Sequence, residues 1–345
     1  MMEDHQLGGK LLAGVSRSFY LTLKALPEGL REPLSLAYLL ARTADTIADT
    51  ASVSGEVRME CLREYELLTQ KSVRDEVGER RLQERLDRDF RPQQTEADEA
   101  KLLARLPEIF QALQRTPAAQ AEHIRQVLAT IIKGQTLDIQ RFPSDGTWHA
   151  LQTTDDLDEY TYLVAGCVGG FWTKLCAENP QPVLSGEKAM EDMMLLGIRY
   201  GKGLQLVNIL RDVGKDLGMG RCYFPVEELK QHGLTLDDVR VDPARLAPVM
   251  APWGKLCREH LICGLDYLRG LLPGRLVYAT ALPLLLGVRT LSKVEQADWA
   301  ALSKGVKVSR TGVAKLMFDA GVASMKKGGV VNLVERLLDM SSGGK

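Results

Sequence analysis

The stretch "LSLAYLLARTADTIAD", residues 34–49, is apolar for most of its length and then carries two aspartates four residues apart, Asp45 and Asp49. At about 100° per residue, Tyr38, Arg42, Asp45 and Asp49 fall within about 60° of one another on a helix. Everything else from Leu34 onward is Leu, Ala, Ile, Ser or Thr. A surface helix shows the reverse, an apolar stripe on a polar cylinder. The pattern predicts a mostly buried helix that turns one ionisable seam towards a polar cavity.

A second stretch repeats the design. In "GKGLQLVNILRDVGKD", residues 201–216, Gln205, Asn208, Asp212 and Asp216 share one face among Leu204, Leu206, Val207, Ile209 and Leu210. Each Asp-x-x-x-Asp pair has an arginine close by in sequence, Arg42 and Arg211. Carboxylates at i and i+4 repel, so something cationic must compensate. Oxygen donors with no histidine nearby favour a hard ion, and Mg²⁺ keeps several waters while sharing phosphate oxygens. Two facing pairs would clamp Mg²⁺ around a diphosphate, with arginines holding further oxygens bidentately. One such pair alone is common on a solvated face; two on apolar helices with matching companions argue for a site.

Outward from these seams the chain reads as helix. Apolar residues recur every three or four positions in 59–73, 100–114 and 121–142, and alternating strand patterns are nearly absent. Turn signals fall at "FPSDG" (142–146), "ENPQP" (178–182), "LGMGR" (217–221) and "LLPGR" (271–275). The charged run 74–101 predicts a solvated helix pair with its loop. No repeat or low-complexity block divides the chain, so residues 1–345 are expected to form a single all-α domain with a frayed polar end at "SSGGK".

Composition narrows the class. Apolar residues make up 45% and charged residues 26%, as in an ordinary globular protein. The formal net charge of −1 leaves no basic surplus for nucleic acid. Cys61, Cys167, Cys176, Cys222, Cys257 and Cys263 form no C-x-x-C pair, which predicts reduced, small core residues in the cytoplasm. The opening "MMEDHQLGGK" has no signal-peptide pattern. The run 276–288, interrupted by Pro283, is too short to span a bilayer and predicts a buried, kinked helix. His123, His149, His232 and His260 have no ligand spacing.

Four blocks, "SRSFYLTLKALP" (16–27), "YLLARTADTIAD" (38–49), "YTYLVAGCVG" (160–169) and "LQLVNILRDVGKDLGMGRCYFP" (204–225), resemble the squalene and phytoene synthases, the head-to-head prenyl transferases. The resemblance runs from about residue 10 to about residue 325. It implies the all-α isoprenoid synthase fold, a terpene synthase-like helical fold with a central active-site cavity. The segment "VKVSRTGVAKLMFDA" (306–320) is more similar to squalene synthases, which implies a reductive enzyme. Ala48 stands where eukaryotic squalene synthases carry a further acidic residue in the first motif, and no membrane anchor is expected.

The resemblance therefore implies joining of two farnesyl diphosphates to presqualene diphosphate and its reduction to squalene. Phytoene or diapophytoene synthase, which needs no reductant, and presqualene diphosphate synthase are the alternatives. A non-catalytic isoprenoid-binding protein is the reading from another class. Metal ligands would be Asp45, Asp49, Asp212 and Asp216. Diphosphate contacts would be Arg17, Arg42, Arg211, Arg221, Gln205 and Asn208. Phe19 and Leu206 would line the prenyl pocket, and Tyr38 and Tyr160 would steer deprotonation and rearrangement. No G-x-G-x-x-G follows a strand, so there is no Rossmann site. The resemblance implies that NADPH binds near Ser16, Asn208, Lys307, Arg310 and Lys315. A monomer is expected, with a peripheral membrane contact for release of an apolar product. The small residues of "VAGCVGGF" (164–171) predict close helix packing.

Overall fold

In the computed structural model, which describes residues 7–16 and 19–342, almost all regular structure is helical. The chain divides into two compact units, Met1–Ser144 and Asp145–Lys345.

In the first unit, helix α1 (Arg31–Asp49) packs against α2 (Gly55–Gln70), α3 (Ala97–Ala104), α4 (Leu106–Arg115) and α5 (Ala118–Arg141). Leu40, Ala44 and Ile47 have no exposed surface. Full burial of a Leu or Ile side chain contributes about 1.5–3 kcal/mol, so tertiary packing holds this helix. Its polar residues are accommodated too. Thr43, Thr46 and Thr50 donate to the carbonyls of Leu39, Arg42 and Thr46, so the threonines of "RTADTIADT" enter the core with their hydroxyls satisfied.

Two expectations change here. The periodic run 100–114 is cut at Arg105 into α3 and α4, because Pro107 lacks the N–H that would bond the Leu103 carbonyl and its ring crowds that preceding turn. The charged run 74–101 is not merely solvated. A helix Glu76–Arg85 passes through a π turn, Leu86–Phe90, and Leu82, Leu86 and Phe90 are fully buried. Their i, i+4, i+8 spacing is an apolar stripe hidden among charges.

The second unit is organised around α8 (Met190–Gly218), preceded by α6 (Thr154–Thr161) and α7 (Cys167–Ala177) and followed by α9 (Ala247–Arg269) and α10 (Arg275–Glu295). α7, α9 and α10 all pack on α8. Glycines set how closely. A Cβ at Gly169 would stand 1.8 Å from the Gly197 carbonyl oxygen, and one at Gly201 would stand 2.4 Å from that of Ala165. The small residues at 164–171 thus let two backbones touch. Helix α10 runs through Pro283 and is buried along most of its length. α11 (Arg310–Ser324) and α12 (Gly329–Ser342) complete the unit.

A two-residue parallel pair joins β1 (His149–Ala150) to β2 (Arg221–Cys222). Gly220, at φ +76°, makes the turn that brings the chain from α8 into β2. Among the described residues no helix is long and apolar enough to cross a membrane. All six cysteines are buried and free, and burial pushes the Cys61, Cys167, Cys176 and Cys222 thiols up to about 12, which keeps them unreactive.

Candidate active site

On α1 the seam residues are held by side chains from elsewhere in the first unit. Arg42 forms ion pairs with Asp45 and, from α3, Glu99. Gln135 of α5 donates to the second Asp45 oxygen at 3.1 Å. The Asp45 side chain is 32% exposed, yet protein surrounds enough of it that burial pushes its carboxyl above the usual range, opposed by Arg42 and Gln135. Asp49 lies one turn further on, exposed at the helix end. The buried Nε of Arg42 has no hydrogen-bond partner. Its two terminal nitrogens are taken by Asp45 and Glu99, which leaves the shielded Nε as the one unmatched donor of this guanidinium.

Tyr38 lies one turn before Arg42. Its hydroxyl donates to the Val15 carbonyl at 3.2 Å, and its ring stacks on Phe19 at 5.4 Å between centroids. Ser16 is buried, its hydroxyl donating to the Leu12 carbonyl. Arg17 lies outside the described residues.

On α8, Arg211 grips Asp212 through two hydrogen bonds, the Nε–Oδ1 one 2.8 Å long. That contact, with Asp216 adding its charge, holds the guanidinium pKa above its ordinary value. Asn208 donates to Gln205 at 3.3 Å, so the two amides form one patch a turn earlier. Leu206 points the other way and is buried. Arg221 enters from β2, half-buried.

Tyr160 lies in the last turn of α6, whose start is fixed by a capping box between Thr153 and Asp156. Immediately afterwards the helix widens into a π turn, Tyr162–Gly166, a feature frequent at functional sites. The Tyr160 ring stacks on Tyr223 at 5.0 Å, with the two hydroxyls 3.3 Å apart. Lys307, Arg310 and Lys315 are exposed, and Lys315 pairs with Asp319 at 3.3 Å.

Three residues here are not singled out by periodicity or spacing. Glu99 and Gln135 reach the α1 seam from distant parts of the chain, and Tyr223 completes a phenol pair whose other member is 63 positions away. Only Tyr223 had a clue, its place two residues after Arg221 in "RCYFP". Among the described residues no three His, Cys, Asp or Glu side chains form a group that would hold a metal ion unaided. Each aspartate pair offers two carboxylates at most.

The fold is that of the all-α isoprenoid synthases, as likeness to a solved structure makes plain. TcSQS in complex with the ligand BPH1237 superposes with a TM-score of 0.74 at 20% identity, covering 97% of this chain and 91% of its own. The squalene/phytoene synthase family profile matches residues 12–312, and the chain belongs to that family of prenyltransferase-type enzymes. Its relatives fall on both sides of the family name. A squalene synthase of Botryococcus braunii is 26% identical over 347 residues, covering 97% of this chain and 68% of that protein. A bifunctional lycopene cyclase/phytoene synthase of Podospora anserina is 32% identical over 236 residues, 67% of this chain. This chain spans only 37% of the length of that bifunctional relative.

Proposed function

We propose that this protein joins two farnesyl diphosphates head to head into presqualene diphosphate and reduces that product to squalene with NADPH. The observation that carries the reading is the pair of Asp-x-x-x-Asp helices, each with an arginine gripping its first aspartate. The 306–320 segment supports the reductive half. In this reading residues 1–345 serve one activity, and each compact unit carries one aspartate pair.

The donor chemistry fits Mg²⁺. The carboxylates are oxygen-only donors and lie four residues apart on one face of each helix. Asp45 and Asp49 on α1 would hold an ion in the first unit, and Asp212 and Asp216 on α8 one in the second, each leaving most of its shell to water and diphosphate oxygens. Bound there, Mg²⁺ supplies Lewis-acid stabilisation of the departing diphosphate. Arg42, Arg211 and Arg221 take up the negative charge that grows as the allylic C–O bond breaks. Gln205 and Asn208 orient the diphosphate by hydrogen bonding. Phe19 contributes apolar wall, which shields the allylic cation from water and binds prenyl methylenes at about 0.8 kcal/mol each, whereas Leu206, expected there too, faces away from the aspartates into the core. Tyr160, with Tyr223 stacked on it, positions the cation and accepts or returns a proton with help from diphosphate, since a phenol near pKa 10 is a weak base alone. Tyr38, tied to the Val15 carbonyl, holds the chain's approach.

For the second half, the exposed cations Lys307, Arg310 and Lys315 suit the 2′-phosphate of NADPH, with Asn208 a further polar contact. Ser16 offers less, because its buried hydroxyl is committed to Leu12.

Purified protein incubated with Mg²⁺ and labelled farnesyl diphosphate, with and without NADPH, tests the proposal. Squalene is expected only when NADPH is present. A C30 phytoene analogue formed regardless of NADPH would assign the chain to the phytoene-type branch. Presqualene diphosphate accumulating despite NADPH would limit it to the first half-reaction.

A further inference from the structure

Helix α11 is apolar on two sides. One side, with Leu316, Met317 and Ala320, seats it in the second unit, with Ala320 fully buried. The opposite side presents Phe318, Val322 and, just past the helix end, Met325, exposed by 71%, 42% and 78%. At about 100° per residue these three lie within about 60° of one another, with exposed Ala314 alongside. Isolated exposed apolar residues are ordinary, but a contiguous stripe on one helix marks an interaction face.

Charge around the stripe says what it meets. Across residues 304–327 the basic side chains are Lys304, Lys307, Arg310, Lys315, Lys326 and Lys327, against Asp319 as the sole acid. The whole chain has a net charge of −1, so this surplus is local. Lys326 and Lys327, both exposed, follow Met325 directly. Lys side chains placed so can bury their stems along an apolar phase while the ammonium reaches anionic headgroups. An apolar helix face rimmed by cations is the signature of an element lying in the plane of a membrane interface.

We propose that α11 is a membrane-docking helix. It inserts Phe318, Val322 and Met325 into the acyl boundary of an anionic bilayer, with Lys326 and Lys327 held at its headgroups. Docking here goes beyond the catalytic reading and does not depend on which product is formed.

The test uses the full chain and co-sedimentation with vesicles of phosphatidylcholine alone or containing one-third phosphatidylglycerol. The variants are Phe318→Ser/Met325→Ser and Lys326→Glu/Lys327→Glu; neither touches the residues assigned to substrate, metal or NADPH. Wild type should bind the anionic vesicles, release as salt is raised, and bind neutral vesicles at least roughly tenfold more weakly. Each double variant should lose at least roughly tenfold in binding to anionic vesicles while keeping the wild-type circular dichroism spectrum and unfolding midpoint. Wild-type-like binding by Phe318→Ser/Met325→Ser would overturn the proposal. So would failure of wild type to bind anionic vesicles, including the case where the serine variant instead converts a dimer to a monomer, which would assign the face to self-association.

Discussion

At the scale of single residues, the aspartates separate catalysis from folding. Asp45→Asn and Asp212→Asn keep shape and one acceptor oxygen but lose the second acceptor and the charge a hard cation needs. Each is expected to cut turnover of farnesyl diphosphate by at least about 100-fold while leaving the thermal midpoint near wild type. Near-wild-type turnover in both would remove the metal assignment. His260 gives a pH signature instead. Burial, with Arg199 beside it, lowers its pKa from 6.5 to about 4, and Arg199 Nε donates to its Nδ1 at 3.2 Å. Between those two values the unfolded chain binds a proton that the folded chain refuses. Stability from this residue is therefore present above the ordinary histidine pKa and is lost as pH falls towards 4. Midpoints of wild type and His260→Gln measured from pH 7 to about 4 should converge as pH drops; parallel curves would show that His260 does not titrate as argued.

At the scale of elements, the glycines of α7 and α8 are what bring the helices together. Gly169→Ala should destabilise by about 1–3 kcal/mol in urea unfolding, because its Cβ would collide with the Gly197 backbone, which cannot swing aside. Gly254→Ala in α9, with nothing within 4 Å of its added methyl, should stabilise by up to about 1 kcal/mol. Equal effects at the two sites would mean that close approach is not what Gly169 provides. The helices themselves were legible because a 3.6-residue apolar repeat is strong over runs as long as α5 or α8. Boundaries were less so. The break at Arg105 depends on one proline inside an unbroken repeat, and the core stripe Leu82–Leu86–Phe90 is diluted by the charges around it.

At the scale of the whole molecule, metal and diphosphate should stabilise the fold together. Each aspartate pair supplies too few ligands to hold an ion without help. Mg²⁺ plus inorganic pyrophosphate should raise the thermal midpoint, by an amount equivalent to about 2.7 kcal/mol once ligand reaches a hundred times its Kd, while either alone gives much less. Chelation should reverse the shift. A rise with pyrophosphate alone that equals the joint effect would locate the anion on arginines without a metal.

The all-α class and the two carboxylate seams could be read directly from the chain, as could the arginines that accompany them. Each depends on residues within a few helical turns, where periodicity maps position onto face. Tertiary structure alone decided the partners that arrive from far along the chain. Glu99 and Gln135 tune Asp45, Tyr223 stacks on Tyr160, and α11 keeps one apolar face uncovered. No periodicity encodes such neighbours, because they meet only when separate helices pack, and that packing also determines which side of a doubly apolar helix stays in water.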